Sequence, residues 1–414
     1  MVPVIALLAI AGWLYVLMVS VKTLEQNGGT DLRSRLVGAR LLFTAASPYH
    51  YKWNPGDGNY LFDPNDRADR PVNGNVATPA ALFLLQPISW LPHYIARWVW
   101  AGVEWIGVFI MLAIWLPGAG ILKKIAWSTV PLGLFFSTAY WQYHQDRGQM
   151  YVLFAALLSG GWYFLQQKSY RPVWAGICFL LLVLCRPFAV LLPVFIFFFL
   201  PGQDRRRWLY LLFIMVLALV LPFVSQWQQY FQAMEWYRLE YMGNLTNSFI
   251  LSNSHFADGT IEGASNLRVA SDYEITCLQP IWYYGQKAGV YFQQLHGYAF
   301  LLSGLVGAAF YVYRQRQHSG ILPLAFTVAF LLMMLAELFS FFPRAPYNMI
   351  WWVAGAGLLS SQINLNSYKA VAISISLLLA LMLHSFALGH FAEALLLIIS
   401  GFVLVSRQTV FSKN

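Results

Sequence analysis

Apolar runs separated by short polar breaks organise most of this chain. As helices the runs are each about long enough to cross roughly 30 Å of hydrocarbon, and they lack the strand-like alternation of a barrel. The first is Val2 to Ser20. It has no basic region before it and no small-residue cleavage site after it, so it reads as a retained first transmembrane helix. Thr78 to Trp90 is only about 13 residues and is punctuated by Pro79, Pro87 and Pro92, which predicts an interfacial or half-inserted helix. Pro172 to Cys185 and Pro187 to Leu200 predict two short spans that meet at a corner, Arg186-Pro187.

Two polar stretches are too long to be plain connectors, 25–75 and 225–288. The first contains Asp31-Leu-Arg-Ser-Arg-Leu-Val-Gly-Ala-Arg40, whose apolar positions recur at helical spacing. An amphipathic helix lying at a membrane interface is expected there. Asp31 stands at its start, where a carboxylate also makes a good N-cap. Arg33, Arg35 and Arg40 read as headgroup contacts. The expected architecture is all-α and polytopic: one membrane domain over 1–414, a first outer loop over 21–92 with interfacial helices, and a long outer loop over 225–288.

Charge orients the runs. Lys123 with Lys124, Lys168 with Arg171, Arg205 to Arg207, Arg314 with Arg316, Lys369, and Arg407 with Lys413 flank runs in short connections, so those ends are expected to be cytoplasmic. Apart from Asp204, the acidic residues fall in or project from segments on the other side. About 12 crossings with both termini inside satisfy this pattern. Composition agrees, because 59% hydrophobic and 10% charged residues with a mean hydropathy of +0.55 exclude a soluble globule. The net charge of +9 is largely used up by topology, which removes the usual argument for nucleic acid as a partner. Cys178, Cys185 and Cys277 show no metal or disulfide spacing.

Candidate chemistry gathers on the outer side. Asp31 is an acid at the mouth of the interfacial helix. The connection Trp141-Gln-Tyr-His144-Gln-Asp146-Arg147-Gly-Gln149 is rich in polar groups for a short loop. Arg147, Arg186 and Arg344 sit where topology disfavours positive charge, which suggests an anionic ligand, since guanidinium forks hold phosphate by bidentate bonds. Pairing with Asp146, Glu337 or lipid phosphate is the alternative. Glu104 lies within the span from His93 to Leu116, where a functional and a structural carboxyl are both open readings. The acidic cluster Asp57, Asp63, Asp66 and Asp69 lacks the spacing of a calcium-binding EF-hand loop and reads as a solvated loop. His50, His93 and His144 lack metal-ligand spacing and His390, near the outer end of a late helix, reads as a packed or interfacial histidine, so no metal or cofactor is implied. Most of the 17 tryptophans and 23 tyrosines read as interface belts, although Tyr49, Tyr51, Trp53 and Tyr60 also suit stacking on sugar faces.

In this order the segments resemble glycosyltransferase family 87, polytopic enzymes of the GT-C superfamily. The resemblance rests on Asp31 through Ala39-Arg40-Leu-Leu, Ser47-Pro-Tyr49, Thr78-Pro79 through Gln86-Pro87, Leu91-Pro92, Arg147-Gly148-Gln149, Arg186-Pro187 and the late Pro343-Arg-Ala-Pro-Tyr347-Asn348. It covers most of the first 230 residues and the late loop. The chain departs from the family at Thr78-Pro79, where a double proline is usual, and at Met150-Tyr151, where an Asn follows. It departs again at Arg186, in place of Lys, and at Asn348, in place of His. Its stretch 54–74 is longer than the typical first loop.

The resemblance implies an inverting glycosyltransferase of the plasma membrane with its site facing the non-cytoplasmic side. The donor would be a polyprenyl-phosphate sugar, a hexose such as mannose, and the acceptor a glycan or lipid. Asp31 matches the base that deprotonates the acceptor hydroxyl. Phosphate leaves well, so no second carboxylic acid is required, in contrast to most glycoside hydrolases. Arg147, Arg186 and Arg344 are the candidates for holding the donor phosphate, and His144, Gln149, Tyr347, Asn348 and Tyr49 for binding substrate. Membrane lipids are the expected surroundings. Two alternatives remain open: a polysaccharide polymerase or ligase using a lipid-diphosphate donor, and a secondary transporter, for which inverted repeats are not evident.

Overall fold

The computed structural model describes residues 2–26, 29–66, 68, 70–115, 139–166, 171–242, 289, 294–314, 321–338, 346–355 and 396–400. Among these the fold is all-α with no strand. The chain divides into two compact units, 1–189 with 201–237, and 190–200 with 238–414.

In the first unit, α1 (Val2–Gln26) buries Val16, Ser20 and Leu24, four residues apart on one face, and leaves Leu7, Leu14 and Met18 exposed. It packs against α5 (Ala139–Arg147), where the Trp141 indole N–H donates to Ser20 Oγ at 2.8 Å. A turn through Gly29 leads into α2 (Thr30–Leu41), which packs against α3 (Pro79–Ser89) and α5. The α3 N-terminus is built by Thr78, whose hydroxyl accepts from Ala81 N and donates to Leu184 O at 2.6 Å. Pro79 at the first helical position has no N–H to leave unpaired.

Behind these lies a layered set. Helix α6 (Tyr151–Gln166) packs between α4 (His93–Trp115) and α7 (Pro172–Cys185), and α7 packs in turn on α9 (Gly202–Leu219). After α9 the chain continues into α10 (Val224–Met242). In the second unit, α12 (Ile321–Leu338) packs against α8 (Leu191–Phe197) and α11 (Gln294–Arg314).

Close approach of α6 and α7 depends on Gly161. A Cβ there would lie 2.2 Å from the Phe179 ring, which is fully buried and has nowhere to go. Gly161→Ala is therefore expected to lower stability by about 1–3 kcal/mol through overpacking. Gly160→Ala, which would meet only Cys178 Sγ at 3.5 Å, serves as the near-neutral control when both are unfolded in detergent.

Two helical stretches, His93–Trp115 and Gly202–Tyr237, are long and apolar enough to cross a membrane. Their apolar windows are only 33% and 17% buried, the reverse of a soluble core helix. Ile106, Phe109, Tyr210, Phe213 and Ile214 point outward instead, an apolar surface that suggests a membrane protein. Thr78 to Trp90 forms one short helix as expected, and α7 ends at Cys185 before a 3₁₀ turn from Pro187.

One expectation is corrected. Helix α2 does not lie on the surface as an amphipathic element: Leu32 and the run from Ser34 to Leu41 are buried. Its arginines do not reach outward to headgroups either, because each is engaged by the protein. Arg33 donates to Phe62 O and Asn59 O at 3.0 and 3.1 Å, and Arg40 donates to Ser89 O at 2.7 Å and also to Tyr60 O. Arg35 donates to Gly148 O at 2.8 Å. A guanidinium drawn in from water finds acceptors in the carbonyls at helix ends and turns, and that is where the buried Arg35 and Arg40 and the part-buried Arg33 go.

Candidate active site

Asp31 is the second residue of α2, and it is not the cap of that helix. Gly29 occupies the N-cap position in the left-handed region, with no side chain to bond. The Asp31 carboxylate is free to turn toward neighbouring elements. Oδ1 accepts from Asn65 Nδ2 at 2.9 Å and from the Arg147 guanidinium at 3.3 Å, with the Thr30 hydroxyl at 3.4 Å. Oδ2 accepts from the Gln149 side-chain amide. A carboxylate offers about four acceptor positions. Oδ1 is crowded, so the position still open lies on Oδ2. The side chain is 18% exposed, enough for a hydroxyl to approach.

Two of the residues on Asp31, Arg147 and Gln149, come from a single turn between α5 and α6. Gly148, at φ +66, ends α5, with its N–H bonded to Gln145 O at 3.1 Å and the Gln149 N–H bonded to His144 O at 3.0 Å. A glycine in this conformation is the usual way to stop a helix and satisfy its last carbonyls. It also lets α2 come close, since a Cβ on Gly148 would sit 2.6 Å from Leu32 Cβ. Arg147 and Gln149 are thereby delivered to the start of α2.

Arg35 fixes the orientation of Gln149. It lies one turn after Asp31 on the same face of α2, and its guanidinium donates to Gln149 Oε1 at 2.5 Å as well as to Gly148 O. The oxygen of the Gln149 amide therefore faces Arg35, and its NH₂ faces Asp31. The Trp100 indole holds the Gln149 backbone carbonyl at 3.2 Å.

The other wall is the first loop. Asp63 is buried and accepts from Ser34 Oγ at 2.6 Å, Asn65 N at 2.8 Å and Gly74 N at 3.1 Å. Burial raises the Asp63 carboxyl above its ordinary range, and these hydrogen bonds oppose the rise. This turn presents Asn65, whose amide bonds both Ser34 Oγ and Asp31 at 2.9 Å. The stretch expected to be a solvated acidic loop is in part a structural clasp: Asp63 is buried, and Asp66 pairs with Lys52. Among the described residues no group of acids, histidines and cysteines could hold a metal ion.

The other candidates lie as follows. Arg186 ends α7, with its guanidinium 5.4 Å from the centre of the Tyr151 ring, two residues beyond Gln149. His144 is wholly buried and faces Glu104 at 3.3 Å. Tyr49 is wholly buried, and its hydroxyl donates to Ala77 O at 2.8 Å. Tyr347 and Asn348 belong to a 3₁₀ turn (Pro346–Ile350) of the second unit, where Asn348 is buried. Arg344 and most of 225–288 lie outside the described residues. The structure thus brings Asp31, Arg147 and Gln149 into one contact cluster.

Sequence reasoning missed two members of that cluster. Arg35 was legible, because it lies four residues after Asp31 on a helix. Asn65 was not, since nothing local shows that a loop will fold back over a helix about 30 residues earlier. Compared with known proteins, the chain matches the family model of glycosyltransferase family 87 over residues 77–340, more than half its length. Neither a curated protein nor a solved structure matches it. The matched segment begins after Asp31, so the family match includes Arg147 and Gln149 and leaves out the acid they contact.

Proposed function

Because this chain belongs to glycosyltransferase family 87, we propose that it transfers a hexose such as mannose from a polyprenyl-phosphate donor to a glycan or lipid acceptor, with inversion and with Asp31 as the base. In this reading the chain is a multi-pass protein of the plasma membrane with its site on the non-cytoplasmic side. The observation that carries it is the Asp31 carboxylate, partly exposed and bonded at once by Arg147, Gln149 and Asn65.

In the proposed step the acceptor hydroxyl gives its proton to Asp31 Oδ2 as its oxygen bonds to the anomeric carbon. The bond from that carbon to the donor phosphate breaks, and polyprenyl phosphate leaves. The departing group takes up negative charge and needs fixed positive charge beside it. Arg147 supplies some, since its side chain is 41% exposed beside the carboxylate. Arg186 and Arg344 would hold the rest of the phosphate. His144 and Tyr49 would act as supports behind the site, and Tyr347 and Asn348 as further substrate contacts. Apolar helices with outward-facing side chains would let the prenyl chain enter from the lipid.

The test is a donor panel. Purified protein in lipid vesicles, given labelled polyprenyl-phosphate hexoses and polyprenyl-diphosphate sugars with a lipid-linked acceptor, is expected to form product from the monophosphate donors only. Product from diphosphate donors alone would transfer the assignment to a polymerase or ligase. Uptake of free sugar with no glycoside formed would favour a transporter.

A further inference from the structure

Directly behind the α5–α6 turn lies a buried polar pair that the proposed step does not use. Glu104, in α4, and His144, in α5, are 3% and 0% exposed in their side chains, with Glu104 Oε1 3.3 Å from His144 Nδ1. The other ring nitrogen, Nε2, accepts from the Val152 backbone N–H at 3.4 Å. An imidazole nitrogen that accepts carries no proton. The proton of neutral His144 is therefore on Nδ1, and Glu104 Oε1 lies 3.3 Å from that nitrogen, a close polar contact that falls outside hydrogen-bond geometry.

This places His144 on both sides of the turn. Its backbone carbonyl receives the Gln149 N–H at 3.0 Å, and its ring receives the N–H of Val152 in the first turn of α6. The ring also lies parallel to Trp141, with centroids 5.6 Å apart and 7° between planes. Arg35, on the far side of the same turn, is the residue that orients Gln149. A carboxyl this deep in an apolar helix is costly to keep, so its retention calls for a purpose.

We infer that Glu104 and His144 are positioning residues for the base: through the His144 ring they lock the Arg147-Gly148-Gln149 turn, and through Gln149 they set the Asp31 carboxylate. This rests on the reading of Asp31 as the base. Displacements of about 1 Å remote from the chemistry can cost about 100-fold in rate. Glu104→Leu is expected to lower kcat by about that factor. Glu104→Gln keeps a polar group of the same shape beside His144 Nδ1 and is expected to recover most of the loss. In a Gln149→Ala background, Glu104→Leu should add no further loss, because the residue it acts through is gone.

Amide hydrogen exchange supplies a readout that does not depend on transfer. Protection of Gln149 and Val152 is expected to fall in Glu104→Leu and to persist in Glu104→Gln. Should Glu104→Leu fail to accumulate, His144→Asn replaces it. Its amide can stand in for Nδ1 but cannot reach Val152, so Val152 protection and kcat should fall together. Unchanged exchange in these variants, losses that add to Gln149→Ala, or a Glu104→Gln no better than Glu104→Leu would each overturn the positioning role. Activity surviving in Asp31→Asn would instead remove the base assignment, while the exchange data still decide whether the pair locks the turn.

Discussion

Asp31→Asn is expected to reduce sugar transfer by about 10²- to 10⁴-fold, the usual contribution of a positioned general base. The substitution changes little in shape and removes the proton acceptor. It also places an amide NH₂ in a nest of donors, because Arg147, Gln149 and Asn65 all direct N–H groups at this position. The Asn oxygen can still serve Arg147 and Asn65 on the Oδ1 side, so the fold should persist. Single-turnover transfer from labelled donor, alongside unfolding temperature and donor binding, separates the outcomes. Lost turnover with retained stability and binding supports the base role; wild-type turnover removes it.

Gly148→Ala is expected to damage stability and turnover together. At φ +66 an alanine costs about 1–2 kcal/mol in backbone strain. The added Cβ would also lie 2.6 Å from Leu32 Cβ, an atom fixed to the α2 backbone next to Asp31. Relief requires the turn and α2 to separate, which adds about 1–3 kcal/mol of overpacking and pulls Gln149 off the carboxylate. Gly58→Ala is the control for turnover: Gly58 has φ +73 and ψ 165, which an alanine tolerates even less, but nothing lies within 4 Å of a Cβ there, so it should lower stability and leave kcat unchanged. Both are read by unfolding in detergent and by kcat. Equal behaviour of the two variants would mean that the turn yields freely and the close approach is of no consequence.

What could be read from residue order was set by local physics. Apolar runs bounded by proline gave α3 and α7 with nearly the right ends, because Thr78-Pro79 starts a helix and Arg186-Pro187 stops one whatever surrounds them. Arg147-Gly148-Gln149 stood out because a charged, glycine-bearing turn between apolar helices is chemically conspicuous. Burial was the part not legible. Helix α2 has an arginine every few residues and reads as a surface element, yet the carbonyls that receive Arg33 and Arg40 belong to residues about 20 to 50 positions away. Likewise 54–74 looked like extra loop beyond the family pattern, and its Asp63 and Asn65 turn out to hold the acid in place. Such long-range partnerships have no signature in composition or periodicity.

The inward turn of the α2 arginines has a consequence for how the protein lives with its surroundings. Arg33 and Arg40 are tied to carbonyls of the chain's own loops and α3, so on this helix they offer anionic phospholipids little to grip. The register of the acid is then an internal property, like a tooth cut into a rigid gear. A change in the surface charge of a surrounding bilayer is therefore expected to leave the contacts around Asp31 as they are.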